Sequence, residues 1–362
     1  MTTNTRAISL TLSPIEAVVE ESFLRLIDQQ MSRSSFPEAA GAFRAWVSNG
    51  RSEEYRPLPY LLSRAAELTA CEHFGVLLGK TWDADSYREF SSTALKAPTI
   101  REALIHLTAD SNSRGGAGVM ELHAGKAACL RYIIVDPTVD TSAIISDVAM
   151  AITMRMMGEL CGSGWLPELV ELSRRRPRDC HPYKSTFKCP IAFNSTVAAI
   201  YFDGKWLDQP PVARRFNAGQ GPARPTPMAA TMPERVVLQL SRGFARGGAA
   251  SASEVARCFG ICERTLQREL TKADSSYRSL SADVQFGVAK RLLRDTDMPV
   301  TDIALALGYA DASVLTRAFT RWAGICPSDW RLASARESPH NRAALGRTQQ
   351  VDTSPNRSGV NA

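Results

Sequence analysis

No run of eighteen apolar residues occurs anywhere in the 362-residue chain, which argues against a membrane-spanning helix. The first thirty residues, MTTNTRAISLTLSPIEAVVEESFLRLIDQQ, lack a basic start, an apolar centre and a small-residue cleavage site. A cytoplasmic protein without membrane attachment is therefore expected. Histidine is scarce: the five residues His73, His106, His123, His181 and His340 stand at no metal-ligand spacing. The eight cysteines (71, 129, 161, 180, 189, 258, 262 and 326) are scattered, without the regular density of a secreted scaffold. Their closest pairs, Cys258/Cys262 and Cys180/Cys189, have no histidine partner beyond His181, so reduced structural thiols are expected and no metal site. GxxxxGK[ST], GxSxG and HExxH are all missing, and "HAGKA" lacks the leading glycine of a phosphate loop. Neither an enzyme nor a cofactor is indicated.

What is present is ordinary soluble material, 44% hydrophobic and 22% charged, in a chain long enough for two cores. The net charge of +6 permits an anionic partner. From residue 231 to 336 there are 15 Lys/Arg against 11 Asp/Glu, an excess too modest to decide the partner without a pattern.

Texture divides the chain. A weak helical stretch covers Pro14 to Asp28. Leu61, Leu62, Ala65 and Leu68 follow helical spacing between Arg56 and Cys71, and the glycines of "FGVLLGK" (74–80) are expected to break the pattern. A second helix fits 98–109. "AGVMELHAGKAACLRYIIVD" (117–136) reads as a hairpin around Ala124-Gly125. Residues 141–161 read as a methionine-rich helix ended by Gly162, and Leu166–Leu172 and Ile191–Phe202 as two more strands. Between Gln209 and Met232 lie five of the twenty prolines and almost no large apolar residue, which marks a linker. Beyond Ser338 the polar composition cannot bury enough to order itself. The expected domains are 15–208 (α+β), 209–231 (linker), 232–334 (all-α) and a tail, 335–362.

The all-α region contains a duplication. In "SEVARCFGICERTLQREL" (253–270), Val255, Ala256 and Phe259 mark a short helix, Gly260 interrupts, and Leu266 and Leu270 mark a second. Ile303, Ala304 and Leu307 repeat the first half before Gly308, and Leu315 and Phe319 repeat the second. The first halves superpose at an offset of 48 residues and the second at 49, so the downstream turn holds one extra residue. A glycine suits the sharp reversal between two packed helices, where positive φ is cheap only without a Cβ. Ala256 and Ala304 allow close helix approach, and Asp311 or Ser313 can cap the restarted helix. Ala282–Arg294 supplies an amphipathic connector of about 20 Å.

With these motifs in view, residues 231–331 resemble the DNA-binding domain of AraC/XylS-type bacterial transcription regulators. The likeness rests on "RTLQREL", "AKRLL", "IALALGY" and "LTRAFTRWAGICPSDWR". Residues 15–208 resemble more loosely the arabinose-binding-like effector domain of one branch of that family, through "HFGVLLGK", "APTIREAL", "HPYKSTFKCPIAFN" and a strand ending "WLDQP". Two departures stand in the connector: Gln285, where members often carry a backbone-contacting Arg, and Gly287 inside the helix.

A helix–turn–helix places its second helix in the major groove. That turns Glu263, Arg264, Gln267 and Arg268 outward in the first unit, and Ala312, Ser313, Thr316, Arg317 and Thr320 in the second. Arginine suits guanine and glutamine suits adenine. Lys272, Arg278, Arg321 and Arg331 are phosphate candidates. The resemblance implies an effector-responsive activator that binds promoter DNA, contacts RNA polymerase, forms a homodimer and answers a small-molecule effector. The competing reading is an effector-independent repressor or architectural DNA-binding protein.

Overall fold

Helical spacing at Leu61, Leu62 and Ala65 becomes α1 (Leu58–Thr69), whose buried stripe these residues form. The computed structural model describes residues 58–81, 94–113, 117–136, 139, 142–212 and 230–337, with isolated residues between 27 and 42. The expected helix over Pro14 to Asp28 falls almost wholly outside them.

"FGVLLGK" does not break the pattern. It forms α2 (Phe74–Thr81), and its glycines serve packing. A Cβ on Gly75 would stand 2.6 Å from the Ile144 carbonyl oxygen, and one on Gly79 would stand 2.5 Å from the Ala151 Cβ. Both glycines thus bring α2 against α4 (Ser142–Cys161) at a separation no side chain permits. Glycine at an exposed helix position costs about 1 kcal/mol against alanine; here the close approach reverses that preference. Gly162 ends α4 at φ 83°, as its position suggests.

α3 (Ile100–Ser113) precedes the hairpin of β1 (Gly118–His123) and β2 (Ala127–Ile134), which pair antiparallel around Ala124-Gly125 as expected. The later strands differ from expectation. β3 covers only Leu169–Glu171. The single strand expected over Ile191–Phe202 is two: β4 (Ile191–Ala192), parallel to β3, and β5 (Ala198–Asp203), antiparallel to β2 and β3. Asn194 at φ 63° turns the chain between them. "WLDQP" ends no strand, because Gly204–Asp208 is a 3-10 turn capped by Asp203. The sheet order is β1-β2-β5-β3-β4, with α5 (His181–Phe187) leading into β4. Leu130, Val170, Ile200 and Phe202 are fully buried with Met150, Met157 and Leu160 of α4, so those methionines fill core.

The region from 230 onward is wholly helical: α6 (Met232–Ala245), α7 (Ala252–Cys258), α8 (Glu263–Lys272), α9 (Tyr277–Asp295), α10 (Val300–Ala306), α11 (Ala312–Ala323) and α12 (Pro327–Glu337). α6 and α7 both start with a complete capping box, Thr231/Glu234 and Ser251/Glu254. The connector α9 is longer than the apolar spacing shows, because Ser276 caps it well before its first buried residue, Val284. Its 19 residues make a rod of about 28 Å rather than 20 Å.

The two domains touch. Val119, Ile133 and Val197 on the outer sheet face cluster with Leu238 and Ala245 of α6. Arg242 of α6 pairs with Glu121 of β1.

Candidate nucleic-acid interface

The duplicated unit folds as two helix–turn–helix pairs, α7/α8 and α10/α11, on either side of α9. Gly260 and Gly308 occupy the two turns at φ 69° and 79°, and after each the next residue's N–H (Ile261, Tyr309) returns to the carbonyl of the small residue, Ala256 or Ala304. The two turns are built alike. They differ in length, since α7 and α8 are separated by residues 259–262 and α10 and α11 by residues 307–311, which is the one-residue insertion seen in the repeat.

Asp311, not Ser313, caps α11. Its Oδ1 accepts from the backbone N–H groups of Ser313 at 2.7 Å and Val314 at 3.0 Å. These bonds, that to Val314 foremost, hold the carboxyl below the usual aspartate range. α8 has a cysteine at the equivalent point. The Cys262 thiol lies 3.2 Å from the Thr265 hydroxyl, a bond that lowers its pKa.

On α8, Leu266 and Leu270 point into the core, leaving Glu263, Arg264, Gln267 and Arg268 exposed together on the opposite face. Lys272 is also exposed, and its ammonium is held 2.9 Å from Glu269, which also lies 3.5 Å from Arg268. Glu269 was not among the expected residues. On α11, Ser313, Arg317, Thr320 and Arg321 are exposed, whereas Ala312 and Thr316 are half-buried. The Thr316 hydroxyl donates to the Ala312 carbonyl at 2.7 Å. Arg278 is exposed at the start of α9.

One expectation is corrected. Arg331 is no phosphate candidate: its guanidinium donates to the carbonyls of Leu293, at 3.2 Å, and Met298, and so ties α12 to the end of α9. Gln285, the departure in the connector, is engaged within the protein. It donates to the Leu307 carbonyl at 3.3 Å and accepts from the Tyr309 hydroxyl at 3.2 Å, fastening the second turn to the connector. Gly287 is buried within α9.

Both outward faces remain exposed although the domains are docked. Arg175 of the sensor domain bonds Asp297 at 2.7 Å through Nε, and its backbone N–H reaches the Asp295 carbonyl at 2.5 Å. Asn194 accepts from the Asp297 N–H at 3.0 Å. None of these residues carries a periodic signal, so none was legible beforehand.

Two family models match on these two domains. One, described as the arabinose-binding domain of AraC transcription regulators, N-terminal, covers residues 56–211; the other, a helix-turn-helix domain, covers residues 255–333. The chain belongs to the AraC family of transcription regulators. A relative in this family, the HTH-type transcriptional regulator VirS of Mycobacterium tuberculosis, is 25% identical over 205 residues, 55% of this chain and 60% of VirS. The ornithine utilization regulator of Pseudomonas aeruginosa is 38% identical over 80 residues, 22% of this chain and 24% of that protein. This AraC-type chain thus spans about 60% of the length of VirS and a smaller share of the second relative. The crystal structure of the regulator CdpR from Pseudomonas aeruginosa covers 85% of this chain and 97% of its own at 19% identity, but its TM-score of 0.35 is too low to equate the folds.

Proposed function

We propose that this AraC-type chain is a sequence-specific DNA-binding transcription regulator, an activator answering a small-molecule effector. The observation that carries the reading is the pair of matched helix–turn–helix units, each with its second helix exposing polar, hydrogen-bonding side chains while both domains are in contact. In it, α8 reads base edges with Arg264, Gln267 and Arg268, flanked by Glu263. α11 adds Arg317 with Ser313, Thr316 and Thr320, and Thr316 contributes least because its hydroxyl is engaged within the helix. Lys272, Arg278 and Arg321 hold phosphates and set the register. A cytoplasmic homodimer that contacts RNA polymerase completes the reading.

Because neither reading helix is covered, effector control acts on the relative placement of units or protomers rather than by unmasking a hidden surface. Selection of binding sites from a random duplex library by the full chain tests this. The expected result is an enriched motif, with Arg268→Ala weakening the selected site by about 1–3 kcal/mol and relaxing one position. Unchanged affinity and preference in that variant would remove Arg268 from the reading set, and recovery of no motif would favour an architectural protein.

A further inference from the structure

A cavity of about 390 Å³ opens beside the β3–β4 end of the sensor sheet, far in sequence from the reading helices. Arg176, Lys184 and Lys188 line it together with Cys189, Ile191 and Phe193, and no carboxylate is among its lining residues. The volume lies within the roughly 300–1,000 Å³ of small-molecule sites. Some exposed cations elsewhere on the chain pair with carboxylates: Arg101 lies 2.9 Å from Asp208, Lys205 2.8 Å from Asp203 and Lys272 2.9 Å from Glu269. The three cavity cations have no such partner among the described residues. Three unpaired positive charges over an apolar floor suit an anion with a short apolar body. An arginine fork and ammonium groups match a carboxylate or a phosphate head, and the inorganic phosphate arm of the test separates the two.

The cavity walls continue into the contacts that hold the DNA-binding domain. Arg176 ends a run of three arginines with different destinations. Arg174 is buried against Asp147 and Tyr183, Arg175 bonds Asp297, and Arg176 faces the cavity. Phe193 meets Tyr183 edge-on at 5.8 Å. The next residue, Asn194, donates to the Arg174 carbonyl at 2.8 Å and accepts from Asp297 at 3.0 Å. A ligand that pulls Arg176 or presses Phe193 therefore acts on neighbours of both interdomain clamps.

We propose that this cavity is the effector site, that it takes a small organic carboxylate with a short apolar body, and that residues 174–176 and 193–194 carry its occupancy to the DNA-binding domain. The inference rests on the regulator reading for its consequence, but not for the binding itself. Cys180 and Cys189 also line the cavity, so they report occupancy directly. Cys258 and Cys262, exposed on the DNA-binding domain, serve as internal standards.

The test measures iodoacetamide labelling of each cysteine in the full chain by peptide mass spectrometry. The probes are benzoate, hexanoate, octanoate and succinate, with benzamide and inorganic phosphate as controls. The expected result is saturable, several-fold slower labelling of Cys180 and Cys189 with at least one carboxylate, with Cys258 and Cys262 unchanged. That protection should be lost in Lys184→Glu/Lys188→Glu and weakened in Arg176→Gln, with circular dichroism showing both variants folded. No protection by any carboxylate overturns the site. Equal protection by benzamide or phosphate overturns the carboxylate assignment. Protection that leaves affinity for the selected DNA unmoved overturns the effector role. Failure to select any DNA motif would instead defeat the regulator reading while leaving the labelling result intact.

Discussion

At Asp311 one carboxylate satisfies two N–H groups that would otherwise be unpaired at the start of α11. Its pKa is held below the ordinary value of about 3.9, so the stabilisation it gives is present above that pH and lost as pH falls through the lowered value. In acid titration of the wild-type chain, amides of α11 should lose hydrogen-exchange protection as Asp311 protonates. In Asp311→Ala that protection should already be reduced at neutral pH and show no such step. Asp147 poses the opposite case, a carboxylate sealed inside the sensor domain. Burial pushes its carboxyl up, and Arg174 and the Tyr183 hydroxyl, at 2.7 Å, pull it back. Removing one partner of a buried pair strands the other charge. Asp147→Ala is therefore expected to cost about 3–5 kcal/mol in urea unfolding, far more than loss of an exposed pair. A cost below 1 kcal/mol would mean that Arg174 finds another partner.

Among the elements, the second helix–turn–helix is held by rings. Phe286 of the connector meets Phe319 at 5.4 Å and Trp322 at 5.5 Å, and Phe319 meets Trp330 of α12 at 5.8 Å. Phe319 is fully buried, so Phe319→Ala should destabilise the DNA-binding domain by about 3–5 kcal/mol in thermal unfolding. DNA affinity should fall with it, although Phe319 lies sealed in the core. This element was legible in the sequence because period 3.6 and the two glycines state where each helix buries and reverses. α2 was not legible. Its glycines carry the same letters as a turn, and only the presence of α4 across from Gly75 and Gly79 distinguishes close packing from a break. The split between β4 and β5 was hidden for a related reason, since an apolar run cannot show that Asn194 turns aside to cap another domain.

In the whole molecule the domains are joined, among the described residues, by a few polar clamps beside the small apolar cluster of Val119, Ile133 and Val197 with α6. Arg175 reaches Asp297 and the carbonyls of Leu293 and Asp295, and Arg291 of the connector reaches the Ile134 carbonyl at 3.4 Å. An interface of this kind is the sort that lets domains move relative to one another. Replacing Arg175 by Ala, together with Asn194→Ala, should enlarge the radius of gyration in small-angle scattering while leaving circular dichroism unchanged. An unaltered radius would place the hold in the apolar contact of Val119, Ile133 and Val197 with α6 instead.

Sequence alone determined the tandem helix–turn–helix with its one-residue difference, the outward face of α8, and that of α11 apart from the half-buried Ala312 and Thr316. Those features depend on spacing within one element or between neighbouring ones, and local periodicity records them directly. Tertiary structure decided that Arg331 and Gln285 fasten helices, that three consecutive arginines part toward core, partner domain and cavity, and that the outward faces of α8 and α11 stay open. Each of these depends on residues distant in the chain meeting in space, and identical side chains acquire different roles there through burial and the carbonyls or carboxylates that happen to lie within reach.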